Sequence, residues 1–424
     1  MEPSQTLVKM HEGSNSKNEI KSTGSSLDEF IKGFDTVHRT ASFAGIQFKN
    51  ANLELNTRLV GTLLFVVIIY TLCFYTGWNL RGDWLRWLET LLILVLNVQG
   101  TSKIWAGVVQ QPQYFYLFQT SEKIYAIFDS DERNRPILRD MVTKMVFILK
   151  ATTVIYVTAG GAIIFSVVLY SAFTRQHFIA ISVFIPYVDH TSSIGYMLTF
   201  VVHALMIVFC CNGYLASDTA FMATVVLIIG YANSLQNEIV NFNHLLTMPK
   251  RDEKLISEKM ARIGHLHQMV VEFELDAVKH FQGGCLVQIL TQAGAVLICI
   301  FLGYICGYVQ AFSVLVGLCF QITQYCALGT IVTAKNEQIT RDIYDIGWNL
   351  LQKPQQKMIV FMLHRAQVAR DLTVGQMAPL NMVTYVKVGQ TMPFLTYISY
   401  HLNYALQIMK TVYSFFAMLV TVMD

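Results

Sequence analysis

The chain has 424 residues, of which 54% are hydrophobic and 14% are charged. A soluble protein of this length carries nearer a quarter charged residues, so the composition excludes an ordinary soluble fold and predicts a polytopic, all-α membrane protein. The net charge of +3 is too small, and the basic residues too scattered, to indicate a partner nucleic acid.

Seven apolar runs follow a polar beginning that is rich in Ser, Asn, Lys and Glu and has no cleavable signal. From 27 to 56 apolar residues return at helical spacing, which predicts a helix against the membrane or the bundle. Each apolar run predicts a transmembrane helix. The runs are 59–78, 84–108, 141–173, a fourth from 194, 285–309, 311–334 and a last one within 378–424.

Three of the runs continue past any bilayer thickness. The fourth keeps a helical pattern from 194 to 243, so its second half should leave the membrane. The fifth has a charged amphipathic lead-in at 253–278, and the sixth runs on into 337–351. Another amphipathic helix is predicted at 356–371, and 174–193 is predicted to be non-helical. The chain has no evident internal repeat, which argues against a transporter made of duplicated halves.

The basic residues predict the orientation. If the N terminus is cytosolic, twenty-six Lys and Arg lie on the cytosolic side and only Arg81, Arg86 and Arg175 lie outside. The positive-inside rule therefore places the N terminus in the cytosol and the C terminus outside. A G-protein-coupled receptor has the reverse orientation, and its Asp-Arg-Tyr and Asn-Pro-x-x-Tyr motifs are not found here.

Chemistry-bearing motifs are scarce. All eight cysteines fall in apolar runs and are expected to be buried, without a metal site or a disulfide. We find no Gly-rich phosphate loop, paired carboxylates or Ser/His/Asp arrangement. The sequence therefore predicts neither an enzyme nor a cofactor.

Short motifs in chain order resemble those of the insect odorant receptor family over about 240 residues. They are Ile185-Pro186-Tyr187, Asp218-Thr219-Ala220-Phe221, Ile343-Tyr344 with Trp348, Met362-Leu363-His364-Arg365-Ala366-Gln367, and Pro379-Leu380-Asn381 with Tyr413-Ser414-Phe415-Phe416.

The resemblance implies an odorant-gated, nonselective cation channel in the plasma membrane of olfactory sensory neuron dendrites. Its partners would be a small volatile odorant, membrane lipid and the odorant co-receptor, in a heterotetramer. The resemblance also implies four regions: a cytosolic tail with an amphipathic helix (1–56), helices 1–6 with the ligand pocket in their outer half (57–334), cytosolic anchor helices (335–378) and a pore-lining seventh helix (379–424).

One departure from the family pattern leaves an alternative open. An apparent insertion near 392–407 puts the register of the last helix in doubt. Within it, Thr396-Tyr397 followed by Asn403-Tyr404 loosely resembles the signature of gustatory receptors. A gustatory-type channel is therefore the second hypothesis.

The candidate ligand contacts are side chains expected in the outer half of the bundle. They are Trp87, Leu91, Phe165, Tyr170, Tyr196, Phe200 and His203. His203 lies one helical turn from Phe200 and is expected to donate a hydrogen bond to an ester, alcohol or carbonyl. Core packing is the alternative for the aromatic residues, and a hydrogen-bonded intramembrane histidine for His203. Glu89 is expected to extend to the membrane interface.

Pore and anchor residues follow from the family register. The gate and constriction are expected at Met418, Thr421 and Val422, on one face of the last helix. Asp218 should stabilise the point where the fourth run leaves the membrane, and Tyr344, Trp348 and Arg365 are expected in the anchor. The alternative for the last run is an ordinary transmembrane helix whose hydroxyls bond its own carbonyls.

Overall fold

Long helices make up most of the chain that the computed structural model describes, residues 26–384 apart from Leu53, Gln176, Ala180, Lys250, 306–309 and 369–370. Helical turns at 26–33 come first. The helices are then α1 Asp35–Phe43, α2 Thr57–Asn79, α3 Trp84–Val109, α4 Gln111–Asp129, α5 Arg135–Thr174, α6 Ser193–Leu246, α7 Glu253–Ile300, α8 Gln310–Tyr344 and α9 Lys353–Gln367. A π-helical turn, Phe301–Ile305, follows α7, and a 3₁₀ turn, Trp348–Leu350, precedes α9. Strands β1 (Thr373–Val374) and β2 (Ala378–Pro379) form a short antiparallel hairpin.

Six of the helices, α2, α3, α5, α6, α7 and α8, are long and apolar enough to cross a membrane. They coincide with the first six predicted runs, which are thereby confirmed as helices of membrane-spanning length. The predicted seventh span and the pore residues Met418, Thr421 and Val422 lie beyond residue 384, outside the described residues. The orientation of the chain stays a prediction.

The two longest helices are about twice as long as a bilayer is thick. Helix α6 has 54 residues and α7 has 48, about 80 and 70 Å at 1.5 Å per residue. A hydrocarbon core is about 30 Å thick. The prediction that the fourth and fifth runs form helices too long for a bilayer is therefore confirmed.

Polar side chains begin several of the helices. Asn56 caps α2, because its Oδ1 accepts from the Leu59 amide at 2.8 Å while its Nδ2 donates to the Gly45 carbonyl at 2.7 Å. Gly45 has φ +85°, and a Cβ there would lie 2.3 Å from the Leu59 nitrogen. Only glycine fits this turn. Asp83, Ser192 and Asp252 cap α3, α6 and α7 in the same way.

The two ends of the bundle pack differently. We call the end with the 174–193 loop the outer half, and the end with α1, α4 and α9 the inner half. One continuous core joins α1, α4 and the inner parts of α5 to α9. Its largest fully buried side chains are Phe30, Tyr125, Phe128, Phe221, Tyr231 and Phe273. The outer half has two small clusters, and many of its apolar side chains are exposed as lipid contact requires.

Four sequence predictions need correction. The helix predicted over 27–56 is interrupted at Phe34 and ends at Phe43, and Gly45, with φ +85°, turns the chain there. Helix α4 was missed in the connection between the second and third runs, although Pro112 marks its first turn and Tyr114, Leu117 and Ile124 mark its buried face. The helix predicted to reach 351 ends at Tyr344, because the Asn243 side chain of α6 accepts the Gly347 amide at 3.2 Å and fixes a turn there. The helix predicted at 356–371 is α9.

The shift of α9 follows from its first turn. The helix begins at Lys353, where Pro354 occupies the position in which its missing amide proton is not needed. It ends at Gln367, and the hairpin β1–β2 follows instead of further helix. The non-helical stretch predicted at 174–193 is confirmed by the ends of α5 and α6.

Candidate functional site

The loop between α5 and α6 folds into the outer half of the bundle. We call residues 181–184 the inserted loop. Its Phe184 amide donates to Thr76 Oγ1 of α2 at 2.7 Å. The Thr90 hydroxyl of α3 donates to the Ser182 carbonyl at 3.0 Å. These bonds satisfy backbone groups that would otherwise be buried without partners.

Val183 is the innermost residue of the inserted loop. Its side chain is 0% exposed and packs with an apolar cluster that includes Ile69, Cys73 and Met206. The Val183 carbonyl accepts from His203 Nε2 of α6 at 2.8 Å. The chain's own peptide therefore occupies the centre of the outer half.

One ring nitrogen of His203 can accept a further hydrogen bond. The residue is 1% exposed, and its Nδ1 has no hydrogen-bond partner among the described residues. Because a carbonyl oxygen can only accept, Nε2 is the protonated nitrogen of the neutral ring, which leaves Nδ1 as an acceptor. An unsatisfied buried acceptor costs about 1–3 kcal/mol, so this atom favours a neighbouring hydroxyl or amide donor.

The predicted aromatic contacts on α6 form the outer rim. Tyr196 shares a 2.9 Å hydrogen bond with the Ser171 hydroxyl of α5, and its ring stacks on His177 of the loop at 4.5 Å between centroids. Phe200 lies one turn further in, 6.5 Å from Tyr196 between centroids. Together with His203, these residues follow one another along the same helix toward the inserted loop.

The other predicted contacts are more dispersed. Tyr170 contacts Phe178 of the loop, with ring centroids 4.8 Å apart, and is 51% exposed. Phe165 is 64% exposed and Trp87 is 42% exposed. Leu91 is half-buried on α3. The structure therefore brings Tyr170 and Tyr196 to the loop and His203 beneath it, whereas Phe165 and Trp87 lie mostly on the surface.

Sequence reasoning missed the residues that hold the inserted loop. Thr76 and Thr90 were not selected, because a threonine within an apolar run ordinarily bonds its own helix. Glu89 was expected to extend to the interface, and here its carboxylate accepts from the Ser182 hydroxyl. One signal was available: the loop has an apolar stretch around Val183 between polar flanks, a pattern that indicates burial.

A groove lies outside the inserted loop. Its volume is about 420 Å³, and it is bordered by Tyr75 and Asn79 of α2 and by residues 184–190 of the loop. Tyr187 is fully exposed. Its φ of +61° is a left-handed backbone conformation that L-residues rarely adopt. The pKa of Asp189 is lowered because the Thr191 hydroxyl and amide both donate to its carboxylate.

A buried charged pair marks the boundary between the two halves. Asp218 of α6 is 0% exposed. Lys103 of α3 donates to its Oδ1 at 2.5 Å, and the Tyr325 hydroxyl of α8 donates to the same oxygen at 2.6 Å. Gln321 of α8 donates to Oδ2 at 2.9 Å, and the Tyr156 hydroxyl of α5 donates to Oδ2 as well. This Asp218 network joins four helices.

The network lies about one bilayer thickness along α6. Asp218 lies 25 residues after the start of α6, or about 37 Å, which is a little more than the hydrocarbon thickness. Its neighbour Thr219 lies 3.3 Å from the Thr40 hydroxyl of α1, at the edge of the inner core. A buried ion pair with four hydrogen-bond donors is a structural feature, because no acceptor site on the carboxylate is left for a ligand.

The predicted anchor residues lie on the surface of the inner half. Tyr344 is 67% exposed and Trp348 is 56% exposed, and Arg365 is on the exposed face of α9. Phe361, also on α9, is 73% exposed.

Within the described residues, no group of three His, Cys, Asp or Glu side chains is placed to hold a metal ion. The seven cysteines in that part of the chain are free thiols.

The chain is similar to odorant receptors in sequence. A sequence model of the family described as "7tm Odorant receptor" matches residues 85–393. A curated relative, the putative odorant receptor 83c of Drosophila melanogaster, is 19% identical over 372 residues, which cover 83% of this chain and 92% of that protein.

The fold is also similar to that of solved structures. The insect olfactory receptor OR5 from Machilis hrabei superposes with a TM-score of 0.69 and 14% identity, covering 89% of this chain and 98% of that one. The same receptor in complex with eugenol gives a TM-score of 0.71 and 13% identity, covering 89% and 100%. The match over most of its length shows that this chain belongs to the 7tm odorant receptor family.

Proposed function

We propose that this chain is the odorant-sensing subunit of a heteromeric, ligand-gated, nonselective cation channel. A small volatile ligand binds among the outer parts of α2, α3, α5 and α6, and the last helix lines the pore. Membership of the odorant receptor family supports odorant sensing. The channel mechanism and the co-receptor are inferences from that family resemblance.

The observation that carries the ligand site is the chemistry around the inserted loop. Here the outer half holds an apolar cluster around Val183 and a small set of convergent polar atoms, on Thr76, Thr90 and His203. Ligand sites for small molecules have this composition, an apolar lining with few, placed polar groups.

The ligand gains most of its affinity from apolar burial. Burying ~200 Å² of odorant surface at ~25 cal/mol/Å² gives about 5 kcal/mol before entropy losses. His203 Nδ1, buried and unpartnered, supplies an acceptor. Odorants with a hydroxyl group satisfy this acceptor, and an ester or ketone of equal size does not. Tyr196 and Phe200 then set the shape that the site accepts.

Assembly and permeation use the other end of the chain. The exposed Tyr344, Trp348 and Arg365 supply contacts to neighbouring subunits in a cytosolic anchor. Met418, Thr421 and Val422 form part of the gate and constriction in a heterotetramer with the odorant co-receptor. The N terminus is cytosolic and the C terminus extracellular, in the plasma membrane of sensory dendrites.

Whole-cell recording with and without the co-receptor tests the function. The expected result is a cation current evoked by volatiles, without added nucleotide or G protein, when both subunits are expressed. Saturable substrate flux without unitary conductance would indicate a transporter instead. Responses to nonvolatile tastants in the absence of the co-receptor would indicate a gustatory-type channel.

His203→Phe tests the ligand chemistry. Losing the acceptor, worth about 1 kcal/mol, should raise the half-maximal concentration of an alcohol about 5-fold more than that of a ketone of the same size. The lost bond from Nε2 to the Val183 carbonyl affects both ligands alike. Asn212→Leu is the control, since the Asn212 amide on the same helix bonds its own Val208 carbonyl. Equal shifts for alcohol and ketone would contradict the acceptor role.

A further inference from the structure

The chain between α9 and the last apolar run packs against two transmembrane helices. Its hairpin pairs Thr373 with Pro379 and turns through Gly375, which has φ +56°. The Gly375 amide donates to the Gln282 carbonyl of α7 at 3.2 Å. A Cβ at Gly375 would lie 2.7 Å from the Leu286 side chain, so the hairpin rests directly on α7.

The hairpin continues onto α8 with a still closer approach. Leu380 is 2% exposed, and its amide donates to the Leu372 carbonyl at 2.7 Å. Its own carbonyl oxygen lies against Gly329 of α8, where a Cβ would be only 1.7 Å away. Backbone therefore meets backbone at this point, and any side chain at 329 would overlap a main-chain oxygen that cannot rotate away.

Two threonines fix the same segment on either side of this contact. Thr330 Oγ1 accepts from the Met382 amide at 3.0 Å while donating to the Cys326 carbonyl at 2.9 Å. The Thr333 hydroxyl donates to Asp371 Oδ1 at 2.9 Å. We call Gly329, Thr330 and Thr333, with the segment 371–382 that they hold, the α8 joint.

Helix α8 connects the joint to the outer half without a break. Near its outer end, Ala311, Leu315 and Leu318 pack in the cluster that contains Leu92 of α3. From Leu315 to Gly329 the helix rises about 21 Å. Between these ends, Gln321 and Tyr325 are tied to Asp218. A displacement at the outer end of a rigid helix held at its middle reaches the inner end.

We propose that the α8 joint transmits odorant binding to the pore. Gly329 and Thr330 are positioning residues for gating, because they set where the last apolar run leaves the hairpin. This inference rests on the proposed channel function. It adds to that function a mechanical route, from the α3–α8 packing through α8 to residue 382, at the start of the pore helix.

The test uses currents normalised to the number of receptors at the cell surface, recorded with the co-receptor. Thr330→Val keeps the side-chain shape and removes the hydroxyl that accepts the Met382 amide. The expected result is a lower maximal current per receptor and a rise of about 5-fold in the half-maximal odorant concentration. A 5-fold shift corresponds to the loss of one hydrogen bond of about 1 kcal/mol. Thr330→Ser restores the hydroxyl and should restore both values.

Gly329→Ala should have the larger effect, with Gly317→Ala as its matched control. Gly317 is on the same helix, and a Cβ there meets nothing within 4 Å. If Gly329→Ala does not reach the surface, the Thr330 pair decides alone. Wild-type values per surface receptor in Thr330→Val, even with reduced expression, would show a merely structural contact and overturn the proposal. Absence of any current from the wild-type pair would instead reject the channel function, and the joint with it.

Discussion

The inner and outer halves of this receptor are held together by different forces. The inner half buries large aromatic side chains such as Tyr125, Tyr231 and Phe273 in one continuous core. The outer half has small clusters, and its centre contains a loop held by side-chain hydrogen bonds to backbone atoms. The hydrophobic effect favours the packing of a continuous apolar core like that of the inner half. Between helices in lipid that driving force is absent, so hydrogen bonds and close contacts take its place.

The difference separates stability from adaptability. A core of interlocking aromatic side chains has one low-energy arrangement and transmits strain. A loop held by a few hydrogen bonds can exchange them for bonds to a ligand at modest cost, since each is worth about 1 kcal/mol. Substitutions in the inner half should therefore lower the surface expression of the receptor. Substitutions in the outer half should leave surface expression intact and change the responses to odorants.

The largest effect is expected at the boundary between the halves. Asp218→Asn leaves Lys103 buried and without its counter-ion, which costs about 3–5 kcal/mol for a buried pair. Surface expression and the unfolding temperature of the detergent-solubilised protein should both fall. Adding Lys103→Met removes the stranded charge and should recover part of the loss.

The matched control for Asp218→Asn is an exposed pair. Glu337 and Arg341 lie 3.7 Å apart, and both are 66% exposed. Glu337→Gln should change the stability by less than about 1 kcal/mol. If Asp218→Asn were as mild as this control, the network would not be the feature that joins the two halves.

A second comparison uses two glycines in α5 and α6. Gly230 of α6 lies in the inner core, and a Cβ there would be 2.1 Å from Met141 Sδ and 2.9 Å from Met141 Cβ. Gly230→Ala forces the helices apart and should cost about 1–3 kcal/mol, as overpacking does. The free energy or temperature of unfolding measures the effect.

Gly161 of α5 supplies the control in the outer half. A Cβ there meets nothing within 4 Å. Gly161→Ala should be neutral, or stabilising by about 0.5–1 kcal/mol because alanine favours a helix more than glycine does. Equal destabilisation by both substitutions would contradict the view that close packing is confined to the inner half.

The sequence predicts the six described spans and the overlong helices well, because length and hydropathy determine them locally. That Asp218 marks the point where the fourth helix leaves the membrane stays a prediction. The sequence did not pair Asp218 with Lys103, 115 residues away, since such a contact depends on how the helices assemble. The inserted loop was missed for the same reason. Helix α4 was missed because its buried stripe includes the polar Ser121 and breaks the apolar pattern.

Acid should weaken the inner half through His38 of α1. Both of its ring nitrogens are buried without partners among the described residues. Its pKa is lowered from 6.5 to about 4, first by burial and then by the charge of Lys49, against an opposing effect of Asp35. Between pH 6.5 and about 4, His38 is therefore protonated in the unfolded chain and neutral in the folded chain. Stability from this group is complete above pH 6.5 and is lost as the pH falls toward 4.

The measurement is the unfolding temperature of the solubilised protein at pH 7 and pH 5. The wild-type temperature should fall with pH, and His38→Phe should lose that part of the fall. His364→Gln, on the exposed face of α9, should keep the wild-type dependence. An unchanged pH dependence in His38→Phe would show that other groups account for it.

A small effect on stability is expected at Tyr196, at the rim of the outer half. Tyr196→Phe removes the hydroxyl that shares a hydrogen bond with Ser171 and keeps the ring that stacks on His177. One partly buried hydrogen bond is worth about 1 kcal/mol, so surface expression should stay near the wild-type level.

Tyr196→Ala also removes the ring, whose contacts hold the loop above His203. The order of preference among odorants should therefore change strongly in Tyr196→Ala and weakly in Tyr196→Phe, with ion permeability unchanged in both. Concentration–response curves for an odorant panel and reversal potentials give the two quantities. Loss of expression in Tyr196→Phe would mean that the outer half is as tightly constrained as the inner core.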